Sequence, residues 1–487
     1  MKIIVDKDSR IPFYWQIADQ IKAQILAGVL TDGVILPSER ILAKITGVHR
    51  NTVIKAYGML KDDELVESVH GIGYRVTYGK TDVAEPQKKM TRGVNWNHVI
   101  KEEYQDMEKT FDDIFQRFGD VNQISFSTGV PPAVFDEKKL AEDLANILHD
   151  EQKKPLYFAP YQGDLALRKS ILSFLREKNI RAGLGQIQIL SETNQALDFI
   201  VTTLLRPGDC VLIEEPVSPD VYRAIALAGC KVIPIPMDED GMMCDNLEPL
   251  IQQHGPKFIF VNSSFHDPTG VVLSIERRRT LLQLAEQYGV PIVEEDAASE
   301  LTFDKDHMPM TLKALDTGEN VIYIYSFSLT FIPGLSLAFV VAPEKLIKSL
   351  SYLVSIRMIS LEWLGQRLLA KYMENGLYRE NTDRICHMNR EKAALMCQCL
   401  ESLKPLGITY RRPKGGVYGW CNLPPGMDGR KVADLCMKRG LSIIPGDVFY
   451  PNRNGGFCQV RLNFSFETEE RIKEGMEIFS AAIKDLL

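Results

Sequence analysis

Residues 321–343 read VIYIYSFSLTFIPGLSLAFVVAP, a run with no charged side chain. Such a length is enough to cross a bilayer as a helix. Ser326, Ser328, Thr330 and Ser336 are scattered through it, Pro333-Gly334 breaks any helix near its middle, and no Lys/Arg-rich flank marks one side. The run therefore belongs inside a protein core. Its β-branched and aromatic residues predict two buried strands, over 321–325 and 335–341, joined by a polar loop over 326–334.

Other Val- and Ile-rich segments, at 210–213, 231–235, 258–261 and 291–293, alternate with helical stretches at 219–229 and 275–288. That rhythm predicts an α/β fold, an open and largely parallel sheet with helices on both faces. At 487 residues the chain exceeds one compact core, so two or more domains are expected. Residues 1–80 hold 11 Lys+Arg against 9 Asp+Glu, and the remainder 46 against 55, so a weakly basic part precedes an acidic body. Nucleic-acid contact is then expected of the small part alone. All nine cysteines follow residue 209 without a C-x-x-C pair, which predicts buried thiols rather than a metal site; Cys397 and Cys399, two apart on a helix, face different directions. The amino terminus has no apolar signal segment, and the expected location is the cytoplasm, with no membrane partner.

The small part predicts a helix over 11–28 burying Ile17, Ile21, Ile25 and Leu26 and ended by Gly28. In the P-S-E-R segment that follows, Ser38 can cap a second helix with Ile41, Leu42 and Ile45 inward, ending at Gly47. A third helix buries Val53, Ala56, Tyr57 and Leu60 and leaves Arg50, Asn51, Ile54 and Lys55 outward. Residues 65–76 then read as a hairpin with a glycine-rich tip, so the order is helix-turn-helix plus wing.

The P-S-E-R box, N-T-V, A-Y and G-x-G-Y together resemble the winged-helix DNA-binding domain of GntR-type bacterial regulators across nearly all of 10–78. The resemblance implies contacts to double-stranded operator DNA from Arg40 and Arg50, with Ser38, Thr52 and the wing glycines Gly71 and Gly73 beside them. His49 departs from the family's helix-capping serine and is expected to weaken that cap. A linker over 81–92 and a lead-in helix over 95–118 separate this domain (1–80) from a second one (122–487).

From about Ser125 to Leu487 the chain resembles the fold-type I aminotransferases that use pyridoxal phosphate (PLP), and the MocR-type regulators that carry such a domain. The motifs are Gln195-Ala196-Leu197, Arg206-Pro207-Gly208-Asp209, Asp267-Pro268-Thr269-Gly270, Ser299-Glu300, Gly415-Gly416, Pro445-Gly446 and Arg461-Leu462-Asn463-Phe464-Ser465. The charge-free run matches S-F-S-K-x-x-x-P-G-L-R-x-G at Ser326, Phe327, Ser328, Pro333, Gly334 and Leu335. The resemblance implies a large domain with a mostly parallel sheet, a smaller C-terminal α+β subdomain and a homodimer.

Against the family pattern eight positions depart. The Schiff-base lysine is Leu329 and the phosphate-binding arginine is Ser336; Glu192 puts an acid at the phosphate turn, beside Thr193 and Asn194. The stacking aromatic is Ser218, the ring-hydroxyl asparagine is Asp267, the ring-nitrogen carboxylate falls on Glu295 and its tyrosine on Ala297, and the tyrosine lent by the partner subunit is Phe158. Losing three charge-assisted hydrogen bonds weakens PLP by a factor on the order of a thousand. No cofactor is therefore expected. The retained Arg461, which in the family forks onto a substrate carboxylate, implies an anionic small-molecule effector, although it could equally pair with an internal acid. The resulting reading is a DNA-binding regulator with a non-catalytic sensing and dimerisation domain. Its rival is a PLP-dependent or PLP-responsive protein using a lysine outside the motif, such as Lys313.

Overall fold

The structure is a computed structural model that describes residues 3–6, 12–26, 29–63, 65–69, 73–77, 94, 96–100, 123–127, 135–150, 158–304, 306 and 308–487. The chain divides into two compact units, Met1–Trp96 and Asn97–Leu487. The expected linker over 81–92 lies outside the described residues, as does the expected lead-in helix except at 96–100, where Trp96–Val99 is helical and Ile100 is not.

In the first unit, helices α1 (Phe13–Leu26), α2 (Glu39–Thr46) and α3 (Arg50–Asp62) are followed by an antiparallel hairpin, β1 (Val66–Val69) and β2 (Gly73–Val76). Ile17, Ile21 and Ile25 of α1 share one core with Val53, Ala56, Tyr57 and Leu60 of α3, as the helical spacing predicts. Gly28, expected to end the first helix, lies outside the described residues.

Helix α2 corrects the sequence reading: Leu42 and Ala43 are buried, while Ile41 and Ile45 are 55% and 62% exposed. Ile41 and Ile45 stand one turn apart on one face, with Leu42 about 100° round the helix. An eight-residue helix buries one stripe, and it is the one bearing Leu42. The Tyr57 hydroxyl donates to Pro37 O at 2.6 Å and its ring lies 4.8 Å from that of Tyr74, so one buried tyrosine fixes both the P-S-E-R segment and the wing to α3.

The second unit contains β3 (Ile124–Ser125), β4 (Ile187–Leu190), β5 (Cys210–Glu215), β6 (Lys231–Asp238), β7 (Gly241–Met242), β8 (Ile259–Asn262), β9 (Ile292–Asp296), β10 (Val321–Ser326), β11 (Ala338–Val341), β12 (Thr409–Tyr410), β13 (Tyr418–Asn422), β14 (Leu441–Ser442), β15 (Ile444–Pro445) and β16 (Gln459–Asn463). Eight of these form one sheet in the order β4-β11-β10-β9-β8-β5-β6-β7. Strands β6, β5, β8, β9 and β10 run parallel; β11 is antiparallel to β10 and β4, and β7 to β6.

The charge-free run supplies the β10–β11 pair, and every residue of both strands is buried. Its second strand begins at Ala338 rather than 335 because Pro333–Leu335 forms a 3₁₀ turn and Ser336 takes a left-handed backbone at φ 47°. Among the described residues no helix is long and apolar enough to cross a membrane.

A buried polar knot ties the sheet to the helix Ile275–Tyr288. Arg278 donates Nε to Leu273 O (2.9 Å), Nη1 to Ser263 Oγ (3.1 Å) and Nη2 to Ser263 O (2.6 Å), and stands 3.5 Å from Glu294. Glu294 in turn accepts from the backbone N–H groups of Leu312 and Lys313 at 2.8 Å each.

The smaller part is an antiparallel sheet, β12-β13-β16-β15, with the helices Leu377–Glu401, Gly429–Lys438 and Glu469–Leu486. Its core includes Val432, Leu462 and Phe479, joined by Ile124 and Phe126 from the opposite end of the unit, where β3 pairs with β14. The architecture is the α/β fold with a smaller C-terminal α+β subdomain that the motifs imply. The cysteines are free thiols, and among the described residues no cluster of His, Cys, Asp or Glu could hold a metal.

Candidate functional site

Two regions carry chemistry, one in each unit. In the first, Ser38 caps α2 by accepting from Ile41 N (3.4 Å), and Gly47 closes the helix at φ 68°. His49 is a cap in its own right, since Nδ1 accepts from Asn51 N at 3.3 Å, so the serine it replaces is partly compensated. These two caps set the tight turn between α2 and α3. They leave Arg40 and Arg50 exposed and Thr52 half-buried at the start of α3.

Arg50 donates Nε (3.1 Å) and Nη2 (2.7 Å) to Glu39 Oε2, a pair both of whose members meet solvent. Pairs of this kind contribute about 0–1 kcal/mol, little enough for a phosphate or base edge to displace Glu39. Gly73 sits at φ 118°, where β2 leaves the wing tip, and Gly71 lies outside the described residues.

In the second unit a cavity of about 610 Å³ opens at the carboxyl ends of β8, β9 and β10, the usual place for a ligand in an open parallel sheet. Thr193, Asn194, Asp267, Glu295, Ser326, Ser328 and Arg461 all line it, as do Glu192, Ser218, Ala297 and Leu329; Ser336 and Phe158 do not. Glu192 is the N-cap of the helix Thr193–Leu204. Its carboxylate accepts from Thr193 N (2.8 Å), from Ser326 Oγ (3.0 Å) and from Ser328 Oγ. A helix N-terminus with two serine hydroxyls is a cradle for an anion, and here the chain's own carboxylate fills it.

Asn262 Nδ2 donates to Glu295 at 3.0 Å. Burial raises the Glu295 carboxyl from 4.5 to about 7; the Asn262 and Thr193 hydrogen bonds oppose the rise, and the Asp267 and Glu192 charges add to it. The folded chain then keeps this proton to higher pH than the unfolded chain does, so the site costs stability that builds as pH rises from about 4.5 to about 7 and is constant above. Glu295→Gln removes that cost. We expect it to raise the melting temperature at pH 8, by the equivalent of about 2 kcal/mol, and to change it little at pH 4. Thermal melts of both proteins at the two pH values measure this.

Leu329 sits in an apolar cluster with Phe265, Ala298, Leu301, Ile385 and Val417. Among the described residues no lysine lines the cavity. Lys313, the alternative amine, donates to Val321 O (2.8 Å), stands 3.2 Å from Asp316 and is not part of the lining.

Arg461, on β16, donates Nη1 to Asp267 Oδ1 (2.7 Å) and Nη2 to Ser127 O (2.8 Å), and lies over the Tyr418 ring at 4.4 Å. Of the two partners the sequence left open for it, the structure pairs it with the internal acid. Asp267, at the position where the resemblance puts a neutral asparagine, takes one amino group of Arg461, Ser127 O takes the other, and Nε has no acceptor.

Sequence reasoning did not single out Ser127, Asp220, Arg223, Phe265, Tyr418 or Phe449, which also line the cavity. A signal existed for two of them, because Tyr418 follows Gly415-Gly416 and Phe449 follows Pro445-Gly446 by a few residues.

Comparison with known proteins places both units. The family of aminotransferases of class I and II matches residues 121–479, and that of bacterial regulatory proteins of the gntR family matches residues 13–76. An uncharacterized HTH-type transcriptional regulator of Bacillus subtilis, YdfD, is 28% identical over 99% of this chain and 98% of its own length. The probable rhizopine catabolism regulatory protein MocR of Rhizobium meliloti is 27% identical over 80% of this chain and 77% of its own. Among solved structures, LysN of Thermus thermophilus, an alpha-aminoadipate aminotransferase complexed with N-(5'-phosphopyridoxyl)-L-leucine, superposes with a TM-score of 0.74 at 28% identity, covering 81% of this chain and 99% of that one. With a gntR-family helix-turn-helix domain ahead of a class I and II aminotransferase domain, the chain belongs to the MocR-type transcriptional regulators.

Proposed function

We propose that the chain is a non-catalytic regulator that binds operator DNA as a homodimer and answers to a small molecule held in the cavity of its aminotransferase-like domain. The observation that carries this reading is the state of the cofactor positions. Glu192 takes up the helix N-terminus and both serine hydroxyls, Leu329 is packed among apolar side chains, and no lysine lines the cavity among the described residues. A dianionic phosphate would have to displace a carboxylate from its donors, and no amine stands ready to hold the ring, so these residues do not fit PLP.

The homodimer is supported by an apolar surface in which Tyr352, Ile356 and Ile359 stand exposed and Phe158 is 78% exposed; the hydrogen bond from Ala159 N to Ser360 Oγ (2.9 Å) brings the two segments together. Faces of this kind are commonly covered by a second subunit.

The test is to sequence the DNA fragments recovered with the purified full-length protein and to repeat the recovery with Arg40→Ala and Arg50→Ala. Enrichment of one two-half-site sequence, lost in the variants, is expected. Recovery of random fragments by all three proteins would sink the reading.

A further inference from the structure

We infer that the cavity is a receptor site for an organic cation, a small molecule bearing a primary ammonium group, and not for an anion; this deepens the function proposed above and rests on it. Both places where an aminotransferase-like pocket would take an anion hold a carboxylate of the chain itself. Glu192 occupies the helix N-terminus and the two serine hydroxyls, and Asp267 occupies Arg461, whose other amino group goes to Ser127 O. At Glu192 an anion would have to break charge-assisted hydrogen bonds, and at Arg461 both amino groups are taken and only Nε has no acceptor.

What remains on the wall is rich in acceptors. Asn262, 8% exposed, spends its amide N–H on Glu295, and its Oδ1 has no donor. Four carboxylates, of Glu192, Asp220, Asp267 and Glu295, line the cavity against two guanidinium groups, of Arg223 and Arg461, an excess of one formal negative charge that becomes two as Glu295 ionises near pH 7. An ammonium brings three donors and one positive charge, and so answers both the orphan acceptor and the charge imbalance.

Phe265, Tyr418 and Phe449 line the same space, and aromatic rings attract cations. Arg461 already uses two of them, at 4.4 and 5.1 Å from the Tyr418 and Phe449 centroids. A metal ion does not fit, because among the described residues no three potential ligands converge. The volume of about 610 Å³ suits a small organic molecule.

The experiment is a thermal-shift titration of the full-length protein with butylamine and butane-1,4-diamine, against inorganic phosphate and glutarate at matched ionic strength. The expected result is a rise of about 2 °C or more with an amine at millimolar concentration, absent with both anions. The rise should disappear in Glu295→Gln; should that variant lack a cooperative melt, Asn262→Ala, which deletes the orphan acceptor, takes its place. No shift with either amine, an equal shift in the variant, or a shift with phosphate, which Arg223 with its acceptor-free Nη2 could hold, would overturn the inference. Operator affinity of the same preparation without ligand separates the two readings: intact affinity with no amine response removes only the cation site, and absent affinity removes the regulator reading beneath it.

Discussion

Raising the salt from about 50 to about 200 mM should weaken operator binding by about a thousandfold or more, provided the bound protein neutralises six or more phosphates. The first unit presents Arg40, in the first turn of α2, and Arg50, in the first turn of α3, to solvent, and the gntR family match covers this region. Counterions released by such contacts make the logarithm of affinity fall linearly with the logarithm of salt. Arg50→Ala should cost about 1 to 3 kcal/mol for the specific site if the side chain reads a base, and should lower the salt slope by about one if it touches phosphate. Glu39, which now holds Arg50, has to release or redirect it on binding. Fluorescence anisotropy over a salt series, on wild type and variant, measures all three quantities. A flat salt profile would remove the winged helix from the interface.

Arg278→Met should destabilise the second unit by about 3 to 5 kcal/mol. Arg278 and Glu294 are both fully buried, so removing the guanidinium strips the carboxylate of its cation and leaves Leu273 O without its side-chain donor, while Ser263 O keeps only the Leu273 N–H. The knot joins β8, β9 and the helix Ile275–Tyr288 behind the cavity. Its loss should therefore appear as a lower urea midpoint for the second unit, with the first unit's own transition unchanged. The double variant Arg278→Met with Glu294→Leu, which removes both charges, should recover part of the loss, as buried pairs replaced by apolar side chains generally do.

Legibility in the sequence followed the physics of each element. The inner face of α3 was readable because four apolar residues at helical spacing compete with no other stripe. In α2, Ile41 and Ile45 formed a more regular pattern than Leu42, and packing against the rest of the unit chose Leu42. The β10–β11 pair was readable because a charge-free run broken by Pro-Gly has few other ways to be buried. The start of β11 was not, since it depends on the left-handed backbone at Ser336.

The cavity wall was largely legible through motifs, each fixed at a strand end. The pairing inside it was not, because Arg461 and Asp267 lie 194 positions apart and nothing local to either says that they meet. The donors of Glu192 are likewise split between a helix start and the loop after β10.

On the function proposed above, the aminotransferase-like domain has exchanged cofactor chemistry for ligand sensing. This exchange is tested most directly by incubating the purified protein with PLP, recording the visible spectrum, reducing with borohydride and mapping the peptides by mass. The account predicts no stoichiometric adduct on any lysine, and none in Leu329→Lys either, because Glu192 and Asp267 still occupy the anion positions. A stoichiometric adduct on one specific lysine of the wild-type chain, with a spectrum that changes on adding an amino acid, would contradict it.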